Sequence, residues 1–132
     1  MPAETSIVPD LVITVPAEVD RLRGVRYAME RWLAETGASD DLRQDVVLAV
    51  YEAMANSVEH AFLGGRSGHI NLTAHVDGRD IVVSVSDDGH WRASTPAPNR
   101  GRGLALIRAA ARRVDIVGGD GRTSVTARFA LR

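Results

Sequence analysis

Asp45-Val-Val-Leu-Ala-Val-Tyr-Glu-Ala-Met-Ala-Asn-Ser-Val-Glu-His60 is the stretch from which the rest of the chain can be placed. Apolar residues recur at three- and four-residue steps through Leu42, Val46, Ala49, Val50, Ala53, Met54 and Val58, the period of a helix with one buried face. Glu52, Asn56 and His60 interrupt that pattern at i, i+4 and i+8. Each four-residue step is a net rotation of only about 40°, so the three side chains stack in one stripe beside the apolar face. A carboxylate and an amide in that position are costly to bury without partners. A solvated helix edge accounts for the same residues, and spacing alone does not separate the two readings.

Working toward the N-terminus, Ser39 is suited to cap this helix, with Asp40 and Asp41 in a first turn whose dipole favours acid. Residues 17–36 form an earlier amphipathic helix, with Val19, Leu22, Val25, Met29 and Trp32/Leu33 as the buried stripe and Gly37 as the stop. Arg21, Arg23, Arg26 and Arg31 decorate it, as a solvated face or as a partner contact. Leu11–Val15 is a short edge strand closed by Pro16, after a loose start over residues 1–10.

Toward the C-terminus the central helix ends at Gly64-Gly65, and strict alternation begins. Ile70, Leu72, Ala74 and Val76 alternate with polar residues, Asp77-Gly78 supplies a two-residue hairpin turn, and Ile81, Val83 and Val85 alternate on the return. This register predicts Ala74 opposite Ile81, Leu72 opposite Val83 and Ile70 opposite Val85. Continuing the parity puts Asp87 on the buried face, where a carboxylate demands a partner; the alternative is a strand that ends and turns Asp87 into solvent. Residues 88–101 are a loop of binding-loop or lid length. Gly101-Arg-Gly103 opens a short helix from Leu104 to Arg112, with Leu104, Ile107 and Ala111 on one side. Val114–Val117 and Val125–Leu131 are the last two strands, joined through Gly118-Gly-Asp-Gly121. The order β-α-α-β-β-α-β-β predicts an α+β fold, a two-layer sandwich with helices on one face of a mainly antiparallel sheet.

Composition narrows the chemistry. The 132 residues, 45% hydrophobic and 25% charged, suit a single domain with one core, and a net charge of −1 offers nothing to nucleic acid or an anionic membrane. The expectations are therefore no direct nucleic-acid partner and no membrane partner. Residues 1–6 lack a basic stretch leading into an apolar core, so cytoplasm is the expected location. There is no cysteine, which excludes thiolate metal sites and cysteine nucleophiles. All 16 basic residues are arginine, which excludes a P-loop, a kinase strand lysine and Schiff-base chemistry. Any phosphate must be met by backbone amides, metal or arginine. Gly101-x-Gly103 at a helix start can do this, because glycine lets the backbone approach an anion and the first helix amides point at it. A tight helix entry explains the same pair. The dinucleotide fingerprint fails, since Leu106 stands where the third glycine belongs.

Taken in order, Glu52-x-x-x-Asn56-x-x-x-His60, Asp87-x-Gly89, Gly101-x-Gly103-Leu104-x-Leu106-Ile107 and Gly121-x-Thr123 resemble the GHKL ATPase superfamily. Within it the chain is similar to the bacterial anti-sigma-factor serine/threonine kinases, over about residues 11–131. The resemblance implies a Bergerat-type α/β sandwich (the histidine-kinase-like ATPase fold) over residues 1–132, with ATP and Mg²⁺ as cofactors. It also implies Asn56 as the Mg²⁺ ligand and Glu52 as the base for a substrate hydroxyl. By the resemblance Asp87 would accept a hydrogen bond from the adenine amino group, with Gly89 leaving room for the base and Thr123 joining Asp87 around it. By the same resemblance residues 90–100 would be the ATP lid, Gly101, Gly103 and Leu104 would cradle phosphate, and Arg100 and Arg102 would be the cations near its terminal group. The partners implied are an anti-anti-sigma protein and a sigma factor, with a homodimer as a common assembly.

Two departures matter. Trp91 occupies the position of the adenine box's usual second glycine. The lysine often found in the histidine-kinase helix box is absent, and no phospho-acceptor histidine domain accompanies the site; both argue against a sensor histidine kinase. His60 is expected to pack beneath the site, and His69, His75 and His90 show no metal spacing with it, which predicts surface positions.

Overall fold

The computed structural model describes residues 8–63, 68–87, 107–119 and 122–131; the side chains of residues 56, 59–63, 122 and 123 lie outside that description. The elements run β1 (Leu11–Pro16), α1 (Val19–Thr36), α2 (Asp40–Leu63), β2 (His69–Asp77), β3 (Asp80–Asp87), β4 (Arg113–Gly119) and β5 (Arg122–Ala130). Residues 107–110 are helical and precede β4; positions 104–106 of the expected third helix are outside the described residues. The five strands form one sheet in the order β1-β2-β3-β5-β4, with every neighbouring pair antiparallel. The expected α+β sandwich is what forms, with β1 at an edge.

Helix α1 turns Leu22, Val25, Met29, Trp32 and Leu33 inward. Val19 departs from the predicted stripe: it is the first helical residue, has no preceding turn to pack beneath, and is 59% exposed. Gly37 ends the helix at φ 82, the left-handed cap that a side chain resists. Ser39 Oγ accepts a hydrogen bond from Leu42 N at 3.1 Å and so caps α2. Along α2, Val46, Ala49, Val50, Met54 and Val58 are buried against the inner face of the sheet. Ile70, Leu72, Ile81, Val83 and Phe129 meet them from the strands, and Ile107 joins from the helical turn. Trp32 Nε1 donates to the carbonyl oxygen of Pro9 at 2.7 Å, which ties the chain before β1 to the underside of α1.

The hairpin register differs from the expected one. Asp77 pairs with Asp80, so the turn is Gly78-Arg79, and the inward pairs are Val76 with Ile81, Ala74 with Val83, Leu72 with Val85 and Ile70 with Asp87. Gly78 has φ 63, and glycine at the first turn position is what a right-twisted two-residue hairpin requires. The partners slide by two residues, so inside and outside are preserved and Asp87 stays on the core face. The last two strands also run further than expected. Gly118 and Gly119 belong to β4, opposite Thr123 and Arg122, because glycine obstructs neither the ladder nor its twist.

Candidate functional site

Asp87 closes β3 on the inner face, between Ile70 of β2 and Thr123 of β5, and the residue is 7% exposed. Its Oδ2 accepts a hydrogen bond from Ser57 Oγ at 2.9 Å. That bond joins the end of the central strand to the middle of α2 and answers the demand for a partner at a buried carboxylate. The alternative, an aspartate turned into solvent, does not occur.

Ser57 places the polar stripe relative to this carboxylate. Each helical residue turns about 100°, so Asn56 flanks Ser57 on the neighbouring face of α2, and Glu52 lies just over one turn earlier. Glu52 is half-buried, and the side chains of Asn56 and His60 are outside the described residues. Thr123 is brought opposite Asp87 by the register, with its side chain outside the description. Gly89, Arg100, Gly101, Arg102, Gly103 and Leu104 all lie outside the described residues, as do Trp91 and His90. His69 and His75 are exposed, as expected. Among the described residues no group of three or more His, Asp or Glu could hold a metal ion, and no helix is long and apolar enough to cross a membrane.

Ser57 was missed by sequence reasoning, although a signal existed. It follows Met54 by three residues and Val50 by seven, on the buried seam, where a hydroxyl needs a reason. A second buried carboxylate was also missed. Asp80, at the hairpin end of β3, accepts hydrogen bonds from Arg128 Nη1 and Arg112 Nη1, each at 3.0 Å, and Arg128 Nη2 reaches Asp77 at 2.9 Å. The bond from Arg128, helped by that from Arg112, holds Asp80 below the ordinary aspartate value against the opposing effect of burial. The two carboxylates occupy opposite ends of one eight-residue strand, about 24 Å apart at the usual rise. Asp80 is tied up by guanidinium groups and braces the sheet, and Asp87 accepts from a hydroxyl of α2. A carboxylate so held can still accept a further hydrogen bond from a ligand's amino group.

The sequence of residues 15–129 matches the family described as the histidine kinase-like ATPase domain. The serine-protein kinase RsbW of Listeria innocua serovar 6a is 32% identical over 79 residues, which are 60% of this chain and 50% of that protein. RsbW of Staphylococcus epidermidis is 32% identical over 76 residues, covering 57% and 48%. The chain thus spans about half the length of the curated relatives it matches. Among solved structures, the RsbU and RsbW domains of Rv1364c from Mycobacterium tuberculosis superpose with a TM-score of 0.76 at 33% identity, over 92% of this chain and 32% of that one. The SiaB–SiaC complex from Pseudomonas aeruginosa shares the fold at a TM-score of 0.68 and 16% identity, over 90% and 88%. With the family pattern running from β1 to the end of β5 and the fold agreeing with it, the chain belongs to the histidine kinase-like ATPase domain family, where it resembles the RsbW serine-protein kinases.

Proposed function

We propose that the chain is an ATP-dependent protein serine/threonine kinase and anti-sigma factor. It phosphorylates an anti-anti-sigma antagonist on serine or threonine, and loss of that antagonist frees it to hold a sigma factor. The observation that carries this reading is the buried Asp87 carboxylate, bonded through Ser57 to the helix that bears Glu52 and Asn56. A buried acceptor held at the end of a strand suits a purine whose amino group needs a partner. The resemblance to the RsbW serine-protein kinases supports the choice of substrate class.

In this site Asp87 would accept from the adenine amino group, and Gly89 and Thr123 are the residues assigned to the base by the resemblance. Asn56 offers an amide oxygen suited to Mg²⁺. By the resemblance, the backbone amides of Gly101, Gly103 and Leu104 would hold the phosphates, and Arg100 and Arg102 would neutralise the terminal charge. Glu52 orients the incoming hydroxyl and takes its proton. ATP would supply its terminal phosphoryl group and leave as ADP, and Mg²⁺ would offset the charge on the phosphates. Positioning and charge stabilisation dominate phosphoryl transfer, so a site without lysine is workable.

Incubation with Mg·ATP and the cognate antagonist should yield phosphoserine or phosphothreonine by mass spectrometry. Absence of both sinks the kinase reading. Glu52→Gln should slow transfer by about a hundredfold or more while nucleotide still binds. Self-association into a homodimer belongs to the same proposal and is read by sedimentation velocity.

Trp91, standing in place of a glycine in the adenine box, favours a second reading: a nucleotide-gated module that controls a partner by docking alone. Mg·ATP should then raise the melting temperature by mass action, without turnover. Asn56→Ala should remove the magnesium-dependent part of that rise under either reading.

A further inference from the structure

The Ser57 hydroxyl has one proton and two acceptors near it: Asp87 Oδ2 at 2.9 Å and the carbonyl oxygen of Ala53, four residues back, at 3.3 Å. A serine inside a helix ordinarily turns its hydroxyl onto that i−4 carbonyl. Here the carboxylate is nearer, and as a charged acceptor it takes the stronger bond. The bond also spans 30 positions of sequence, from α2 to the end of β3, so it forms only when helix and sheet are packed.

We propose that Ser57 is the positioning residue behind the site's preference for adenine. By donating to Oδ2 it fixes the plane of the Asp87 carboxylate that reads the amino group. The inference rests on the adenine reading of Asp87 given above. A carboxylate's terminal torsion is broad and roughly two-fold, so a donor placed as Ser57 is helps to hold Asp87 in one plane. A carboxylate has about four acceptor positions, so the bond to Ser57 leaves capacity for the purine's amino group. Because Ser57 donates, Asp87 remains an acceptor, which welcomes an amino group at the purine six-position and rejects a carbonyl oxygen there. The donor stands on the same helix as Asn56, one residue on, so the group that orients the base-reading carboxylate and the residue assigned to the metal share one rigid element.

Isothermal titration with ATP and with inosine triphosphate, both with Mg²⁺, tests this on the wild-type chain, Ser57→Ala and Ser57→Thr. The wild type should prefer ATP by at least about tenfold, as a site built to bond an amino group does. Ser57→Ala should weaken ATP about tenfold while inosine triphosphate stays within about twofold, the size expected for losing a hydrogen bond to a charged group. Ser57→Thr keeps the hydroxyl and should restore the preference. Equal weakening of both nucleotides, or an unchanged ratio between them, overturns the assignment and leaves Ser57 a packing residue. A wild-type chain that binds both alike, or neither, overturns the adenine reading itself, so the two failures are told apart. Should Ser57→Ala fail to fold, Ser57→Cys fills nearly the same space with a weaker donor and carries the same comparison.

Discussion

Asp87 and Asp80 share a strand, on opposite faces of it, and their neighbours give them different work. Asp80 is met by Arg128 and Arg112, so its charge is balanced within the fold. Asp87 accepts from the Ser57 hydroxyl on α2, at the end of the strand where the site is proposed. Asp87→Asn should therefore disable ligand reading more than folding. The amide oxygen can keep the Ser57 bond, but the amide NH₂ then confronts the adenine amino group donor to donor. ATP affinity by isothermal titration should fall at least about tenfold, with a cooperative melt retained. Retained ATP affinity in this variant would remove the main support for the nucleotide reading.

Helix α2 carries the proposed chemistry, and its local signals explain why it stands where it does. Gly37 at φ 82 ends α1, Ser39 caps α2 two residues later, and Asp40 and Asp41 occupy the first turn. Ser39→Ala leaves Leu42 N–H without its acceptor and should lower stability by about 1 kcal/mol in chemical denaturation. The packing of α1 beneath the sheet contributes more. Leu33 is fully buried in the common core, and Leu33→Ala should lower stability by about 2–5 kcal/mol, since a tight interior relaxes only partly around a lost isobutyl group. The hairpin teaches a different lesson about elements. Parity was legible because alternation is local, whereas the turn's placement at Gly78-Arg79 depended on which residue met the positive φ.

At the scale of the whole molecule, the ion cluster of Asp77, Asp80, Arg112 and Arg128 ties β3 to β5 and to the approach into β4. Arg128 and Arg112 lower the Asp80 value in the folded state, so the contribution is present above the ordinary 3.8 of the unfolded chain. It is lost as pH falls below that value and through the lower folded one. Asp80→Asn should accordingly be less stable than wild type at pH 7, and the gap should narrow at about pH 3, measured by urea denaturation at both. A gap that widens in acid contradicts the assignment. Periodicity, caps and glycine stops are local, and so the sequence by itself determined the order of elements, the core faces of α1 and α2, the edge position of β1 and the inward parity of Asp87. Two pairings were decided only by tertiary structure: Ser57 with Asp87, 30 positions apart, and Asp80 with Arg112 and Arg128, 32 and 48 apart. Each is a polar contact between distant segments. Local pattern marks Ser57 and Asp87 as polar groups on buried faces but does not say which group meets which, and each pairing exists only once α2 lies on the sheet and β5 lies beside β3.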